Sequence, residues 1–262
     1  MPDDSEPILV AHDGAIATVT LNRPSKLNAL NRNAWQRLAQ EFAGLDKLDS
    51  VRCVVVRGAG GKAFSAGADI SEFAAERSNV EEAAAYGKIV EAAMRIITET
   101  RHPTIALIEG ACVGGGLEIA CACDIRICGA SSRFGIPVNR LGLTMAYAEL
   151  HALLAVVTVP VAKEILFSGE LFGAARAVDM GLVNRVVADD GVEQEAYDLA
   201  THIAKRAPLV NRWHKKFIRR LADPAPLTDA EVQEGYEAFG TEDFQRGYRA
   251  FLEKTDPDFE GD

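Results

Sequence analysis

Three consecutive glycines, Gly114–Gly116, stand between two apolar runs, and the second run contains a single carboxylate, Glu118. The run before the glycines indicates a buried strand, and the run after them indicates a helix. Free backbone N–H groups at a helix start, aided by the helix dipole, can hold a developing negative charge. Glu118 follows Gly115 by three residues and therefore lies about one turn further along the same side. This pattern predicts proton transfer next to a carbonyl group.

Nucleotide binding and simple packing fit the glycine run less well. A dinucleotide-binding fingerprint needs a glycine where Ile119 stands, and no Gly-Lys-Ser/Thr of a P-loop follows. Close packing against a strand would be met by one glycine, whereas each glycine costs about 0.5–1 kcal/mol relative to alanine in regular structure. Glu118 itself has a plainer alternative, a salt bridge to Arg126 or Arg140.

A second glycine-broken loop, Phe64–Ile70, has the sequence FSAGADI and follows another predicted buried strand. It can supply a second N–H group, and two donors from two loops are a common construction for acyl chemistry. Ser65 in this loop is a weak candidate nucleophile. It lacks the G-x-S-x-G pattern, and no histidine bears a sequence relation to it.

The elements around these loops follow the order of an α/β protein. A hairpin is predicted at Asp13-Gly14, a helix after the cap Asn31, and a long helix from about Val80 to Thr100. The run TIALIEGACV reads as one buried strand, and DIRICG as the next. From about Tyr147 onward helical patterns dominate, and LVNRVV is the only strand predicted there.

Composition indicates an ordinary globular protein with one main core. The chain has 262 residues and a formal net charge of -10, which argues against nucleic acid as a partner. Any anionic ligand would then be held by a few lysines or by backbone N–H groups. The acidic start and the lack of a run of about 20 apolar residues predict a cytoplasmic protein with no membrane partner. Five cysteines inside apolar runs favour reduced core thiols over a metal site.

Six segments, in this order, resemble the enoyl-CoA hydratase/isomerase (crotonase) superfamily: Leu21–Leu30, Lys62–Ile70, Ile108–Cys128, Arg133–Leu143, Ala177–Val187 and Arg246–Gly261. The resemblance implies an α/β fold, a crotonase-like spiral of ββα repeats over residues 1–200, followed by a helical trimerisation region over residues 201–262. It also implies a homotrimer or a hexamer built as a dimer of trimers. The implied substrate is an acyl-CoA thioester of fatty-acid or related metabolism, with no cofactor apart from the coenzyme A of the substrate.

By position in these motifs, the resemblance implies that the N–H groups of Ala68 and Gly115 hold the thioester oxygen and that Glu118 is the catalytic acid/base. It implies coenzyme or acyl contacts at a further set of residues, the last of them reaching a neighbouring subunit: Lys26, Leu27, Lys62, Ala66, Asp69, Ile70, Gly114, Val138, Tyr147 and Lys254.

The sequence departs from the family pattern at the second catalytic glutamate of the hydratases. That position follows the proline of an F-x-x-P-E motif, and here the motif ends in Val138. The glycine-rich segment that normally follows is replaced by TMAYAEL, so Tyr147 is expected to enter the acyl pocket. Hydration is the leading expectation from the balance of the family's members. Isomerisation, decarboxylation and acyl-CoA binding without catalysis stay open.

Overall fold

The computed structural model describes residues 6–262; the first five residues, where the acidic start of the chain begins, lie outside the described part. The strands are β1 (Ile8–Asp13), β2 (Ile16–Leu21), β3 (Cys53–Gly58), β4 (Ala63–Ser65), β5 (Thr104–Ile108), β6 (Ala111–Val113), β7 (Ile125–Gly129), β8 (Arg133–Gly135), β9 (Phe172–Gly173) and β10 (Arg185–Val187). The helices are α1 (Arg32–Leu45), α2 (Phe73–Glu76), α3 (Val80–Glu99), α4 (Gly115–Ala122), α5 (Tyr147–Leu154), α6 (Val159–Ser168), α7 (Ala174–Asp179), α8 (Val192–Ala204), α9 (Pro208–Arg220), α10 (Asp229–Glu234) and α11 (Glu242–Glu253).

The larger sheet has six strands in the order β1-β2-β3-β5-β7-β10. The predicted hairpin is confirmed, since β1 and β2 pair antiparallel across Asp13 and Ile16. The other neighbours in this sheet pair in parallel. Parallel strands are buried on both faces, which explains the near-continuous apolar sequences of β3 and β5.

A smaller sheet with the order β4-β6-β8-β9 lies beside the first, and β4, β6 and β8 run parallel. The chain passes repeatedly from the larger sheet to the smaller one, from β3 to β4, from β5 to β6 and from β7 to β8, and then into helix. These passages produce the ββα spiral. The prediction of one strand over TIALIEGACV is wrong, because Gly110 breaks it at a φ of +61°. A Cβ there would lie 2.0 Å from the Lys62 carbonyl oxygen, so only glycine fits this turn.

Two layers of helix cover the larger sheet. The predicted cap Asn31 accepts a hydrogen bond from the Ala34 N–H at 2.8 Å, and α1 packs against α3. On the opposite face α8 buries Val192, Ala196 and Ala200 against β3, β5 and β7. The boundary predicted between residues 200 and 201 therefore falls inside a helix that packs on the sheet, and the division into two regions stays a prediction.

The C-terminal segment is held to the sheet at the start of β3. The Arg52 guanidinium donates to the Phe259 carbonyl at 2.7 Å, and buried Asp243 accepts the N–H groups of Glu260 and Gly261, each at 2.9 Å. Arg52 also donates to the Ala204 carbonyl at the end of α8. The last residues of the chain are thus held next to the first residue of β3. Lys62 follows the last residue of that strand, at its other end.

Across residues 6–262, no helix has both the length and the apolar character needed to cross a bilayer. The cysteines are all buried and unbridged, and burial raises the pKa of the Cys53 thiol to about 12. They therefore behave as small apolar core groups, as the sequence predicts.

Candidate active site

The loop from Gly67 to Asp69 presents a backbone donor at Ala68. Leu30 pairs with this loop through two hydrogen bonds, its N–H donating to the Gly67 carbonyl at 2.7 Å and its carbonyl accepting the Asp69 N–H at 2.9 Å. These hydrogen bonds use the Gly67 carbonyl and the Asp69 N–H, which lie on either side of Ala68. The Ala68 N–H has no acceptor among residues 6–262 and is free for a ligand.

The second donor lies at the start of α4. Gly114 precedes the helix with φ +50° and ψ −124°, a conformation that side chains rarely adopt, and its own N–H donates to the Gly135 carbonyl. The Glu118 N–H closes the first turn on the Gly114 carbonyl at 3.0 Å. The Gly115 N–H precedes that turn and has no acceptor within the described chain, so it is the exposed donor that a helix start provides.

The two loops touch without a side chain between them. A Cβ built on Gly67 would lie 3.4 Å from the Gly115 nitrogen, and one built on Gly114 would lie 3.8 Å from the Gly67 Cα. Ala68, the residue after Gly67, is therefore a neighbour of Gly115. The two loops whose N–H groups the resemblance assigns to one oxyanion hole are therefore in contact, and the shared hole itself stays a prediction.

Packing also accounts for part of the glycine run, contrary to the expectation that one glycine would satisfy it. A Cβ on Gly116 would lie 2.6 Å from the Ser65 carbonyl oxygen, and a Cβ on Gly115 would lie 3.1 Å from the ring of Trp35. Ser65 has a structural role here, because its hydroxyl donates to the Asn28 carbonyl and accepts the Gly67 N–H. Each glycine thus has its own steric reason, and the free N–H of Gly115 is an additional property.

Glu118 is buried beside this hole, 6% exposed, and its carboxylate makes no hydrogen bond or salt bridge with any of residues 6–262. The alternative partner Arg126 donates instead to the carbonyls of Leu182 and Cys123, so that pairing is wrong. Burial, reinforced by the Glu149 carboxylate and opposed by Arg77, raises the pKa of Glu118 to about 8. A buried carboxyl with no partner and a raised pKa is typical of a group that moves a proton.

A second carboxylate, which the sequence interpretation did not single out, acts on Glu118. Glu149 lies in the first turn of α5, which packs against both α3 and α4. Its carboxylate accepts the Ala146 N–H at 2.5 Å. Burial raises the pKa of Glu149, while the Ala146 N–H and Arg77 oppose that rise. The signal was present in TMAYAEL, the segment that replaces the family's glycine-rich sequence, in which Glu149 is the only acid.

Arg77 is the cation that acts on both carboxylates. It follows α2, and its guanidinium stacks 3.6 Å from the centre of the Tyr86 ring and 4.7 Å from that of Phe73. No salt bridge within the described chain joins it to either glutamate, so it acts on them at longer range. The site therefore combines two N–H donors without acceptors among residues 6–262, the buried carboxyl of Glu118, the half-buried carboxyl of Glu149 and a stacked cation.

Comparison with known proteins agrees with this geometry. Residues 11–262 match the family described as Enoyl-CoA hydratase/isomerase. The chain belongs to that family. It is 34% identical to a short-chain-enoyl-CoA hydratase of Clostridium acetobutylicum, over 94% of this chain and 95% of that protein. It is 30% identical to a methylmalonyl-CoA decarboxylase of Escherichia coli, over 94% and 95% of the two chains.

A solved structure extends the likeness to three dimensions. An enoyl-CoA hydratase/carnithine racemase from Magnetospirillum magneticum superposes with a TM-score of 0.96 at 46% identity, over 98% of this chain and 96% of that one. The crotonase fold expected from the sequence is therefore confirmed, and with it the assignment of the chain as a member of an enzyme family that includes hydratases, isomerases and decarboxylases.

The segments that contain Lys26 and Leu27, and Lys62 and Ala66, are joined by hydrogen bonds; all four residues are expected to contact coenzyme A or the acyl group. Lys26 and Lys62 are exposed, and the Leu27 carbonyl accepts the Ala66 N–H at 2.9 Å, so the two segments are tied together. Buried Asn28 reinforces the tie, since its side-chain amide donates to backbone carbonyls on both sides of Lys62. The roles of these residues toward coenzyme A stay predictions.

Asp69 and Ile70, two further predicted ligand contacts, differ in whether their side chains are free to meet a ligand. Asp69 is occupied within the chain by Ser71 and by the Arg23 guanidinium at 2.8 Å, which together hold its pKa below the usual range. Ile70 is a large apolar side chain that is 56% exposed. Ile70 is thus open to a ligand, whereas the carboxylate of Asp69 already has partners.

Val138 and Tyr147, where the sequence departs from the family pattern, differ in how exposed they are. Val138 is half-buried and packs against the core, within a short 3-10 helix over Pro137–Leu141. Tyr147 begins α5 and is 92% exposed, so its ring does not fill a buried pocket of this chain, contrary to the expectation from the sequence. Lys254 follows the last residue of α11 in a left-handed conformation. Within one subunit the structure gives it no contact with the Lys26 and Lys62 segments.

Proposed function

We propose that the protein is an enoyl-CoA hydratase, which adds water across the C2=C3 bond of a trans-2-enoyl-CoA thioester. The observation that carries the proposal is the buried carboxyl of Glu118, unpaired and beside the free N–H groups of Ala68 and Gly115. The hydratase named among its relatives supports the same reaction.

The proposed chemistry depends on stabilising an enolate. Addition of the water oxygen to C3 moves negative charge through C2 onto the thioester oxygen. Two fixed N–H donors at that oxygen stabilise this charge more than they stabilise the neutral carbonyl, which lowers the barrier. Because the donors belong to the backbone and are held by neighbouring hydrogen bonds, they need little rearrangement when the charge develops.

Proton transfer completes the reaction. The water that bonds to C3 must lose a proton, and C2 must gain one. Glu118 lies one helical turn from Gly115, so it faces the carbon next to the held carbonyl. Its raised pKa suits this role, because a group that titrates near neutral pH both gives and accepts protons readily.

The experiment is an assay of the purified protein on trans-2-enoyl-CoA, 3-enoyl-CoA and malonyl-type CoA thioesters, with Glu118→Gln in parallel. We expect hydration by the wild type and a loss of about 10²–10⁴-fold in kcat in the variant. Glu91→Gln, the same change at an exposed site on α3, is the matched control and should stay fully active. Turnover confined to 3-enoyl or malonyl thioesters would replace hydration by isomerisation or decarboxylation. Tight binding without turnover would remove the catalytic proposal.

We also infer that the protein assembles as a homotrimer or as a dimer of trimers. The support is a set of large apolar side chains left exposed on the C-terminal helical segment, among them Ile218 at 72%, Phe239 at 64% and Phe251 at 81%. We infer that the other subunits cover these exposed side chains. Sedimentation velocity should give a trimer or hexamer, and a monomer at micromolar concentration would contradict the inference.

A further inference from the structure

Hydration requires two proton transfers, and the position that would supply the second carboxylate, Val138, is apolar. Val138 packs against the core and offers no proton donor or acceptor. If Glu118 acted alone, one group would have to accept a proton from water at C3 and deliver another to C2 within the same cycle. A second carboxyl that reaches the same space would divide these tasks.

Glu149 is a half-buried carboxyl in the first turn of α5, close enough to Glu118 to act on it electrostatically. It comes from α5, which packs against α4, the helix that carries Glu118, and against α3. Its negative charge acts on Glu118, and Arg77 acts on both groups from the side of α2. Resting on the hydratase function proposed above, we propose that Glu149 is the second acid/base residue of this site and replaces the carboxylate absent at Val138.

The pair carries one proton through the reaction. In the starting state one carboxyl is protonated and the other is ionised, as is usual for two carboxyls that share a buried site. The ionised group accepts a proton from water while the water oxygen bonds to C3. The π electrons of C2=C3 move toward the thioester oxygen, and the enolate then collects the proton of the other carboxyl at C2. The pair ends with one proton on the opposite partner, and exchange with solvent restores the start.

Capping of α5 is a separate task of Glu149 and does not explain its setting. Glu231 has the same capping position in α10, where it accepts the Thr228 N–H at 2.8 Å. There, paired with Arg220 on the surface, the pKa of Glu231 is lowered to about 2. Glu149 caps its helix in the same way, yet burial raises its pKa. A helix cap works best ionised and paired with a cation. Glu149 is half-buried, makes no salt bridge within residues 6–262 and stands on a helix packed against α4, which points to a second task.

Glu149→Gln is the variant that separates the two tasks, because its amide oxygen can still accept the Ala146 N–H while its acid/base capacity is gone. We expect kcat for hydration of a trans-2-enoyl-CoA to fall by about 100-fold or more. KM and the midpoint of thermal unfolding should stay near the wild-type values. His151→Gln, an exposed change on the same helix, is the matched control and should keep full activity.

Each outcome decides between assignments. A Glu149→Gln protein that hydrates within about threefold of the wild-type rate would overturn the proposal for Glu149 and leave the hydratase function intact. A wild-type protein inactive on every enoyl thioester would overturn both. If Glu149→Gln does not fold, Glu149→Asp keeps the charge and withdraws the carboxyl by one methylene. That variant should lose about 10-fold or more in kcat, and full activity in it would overturn the proposal.

Discussion

At the residue scale, the site depends on backbone groups that have been left without partners. The loops around Ala68 and Gly115 use the neighbouring N–H and carbonyl groups for structure and leave these two donors free. The sequence predicted both donors from glycine placement and family resemblance. It did not predict Glu149, the third residue of α5. A glutamate in the first turn of a helix is usually a surface residue, and only the packing of α5 on α4 distinguishes this one.

Removal of one donor tests the hole directly. Ala68→Pro deletes the N–H group, which takes no part in the hydrogen bonds of Gly67 and Asp69 with Leu30. We expect kcat to fall by about 10²–10³-fold, the usual cost of one oxyanion donor. Ala68→Gly keeps the N–H and serves as the control in the same steady-state assay. Equal rates in the two variants would show that Ala68 does not hold the oxyanion.

Glu118 should also make stability depend on pH. Its pKa is about 8 in the folded protein against an ordinary value of 4.5, so the folded state holds the proton more tightly. The stability linked to this group is fully present below pH 4.5 and is lost as pH rises toward 8 and above. Each tenfold difference in proton affinity corresponds to about 1.4 kcal/mol, so the loss should reach a few kcal/mol.

Urea unfolding at several pH values, from about 4 to about 9, measures this effect. The unfolding free energy of the wild type should fall across that range relative to Glu118→Gln, which has no carboxyl to ionise. The Glu91→Gln variant should follow the wild type. Parallel curves for wild type and Glu118→Gln would contradict the raised pKa of Glu118.

At the element scale, hydrophobic periodicity predicted the hairpin, α1, α3 and the buried strands, because each of these is long enough to show its period. The small sheet was missed. Its strands are two or three residues long, and β5 and β6 merge into one apolar run in the sequence. Gly110 separates them through its positive φ and its close contact with the Lys62 backbone, and no local pattern encodes that contact.

The contact between α4 and β4 gives a prediction about the glycine run. In Gly116→Ala the new Cβ would meet the Ser65 carbonyl oxygen at 2.6 Å and the Ser65 Cβ at 2.7 Å. Overpacking of this kind should destabilise the protein by about 1–3 kcal/mol. Gly87→Ala is the control, since Gly87 lies inside α3 with open space around it. That change should stabilise the protein by about 0.5–1 kcal/mol, because alanine favours a helix interior. Chemical denaturation measures both, and a neutral Gly116→Ala would refute the packing argument.

At the scale of the whole molecule, several distant segments of the chain converge on one small volume. The turn after β4 supplies Ala68, the start of α4 supplies Gly115 and Glu118, and α5, which follows β8, supplies Glu149. Family motifs predicted Ala68, Gly115 and Glu118 because each lies within a contiguous stretch of sequence. The fourth required the fold.

Addition of water to an enoyl thioester is tested most directly by following the oxygen. The purified protein is incubated with a trans-2-enoyl-CoA in water enriched in the heavy oxygen isotope, and the products are identified by mass spectrometry. We expect 3-hydroxyacyl-CoA with the heavy oxygen at C3, formed by the wild type and nearly absent with Glu118→Gln. Recovery of unchanged substrate or of an unlabelled double-bond isomer from the wild type would contradict hydration by this site.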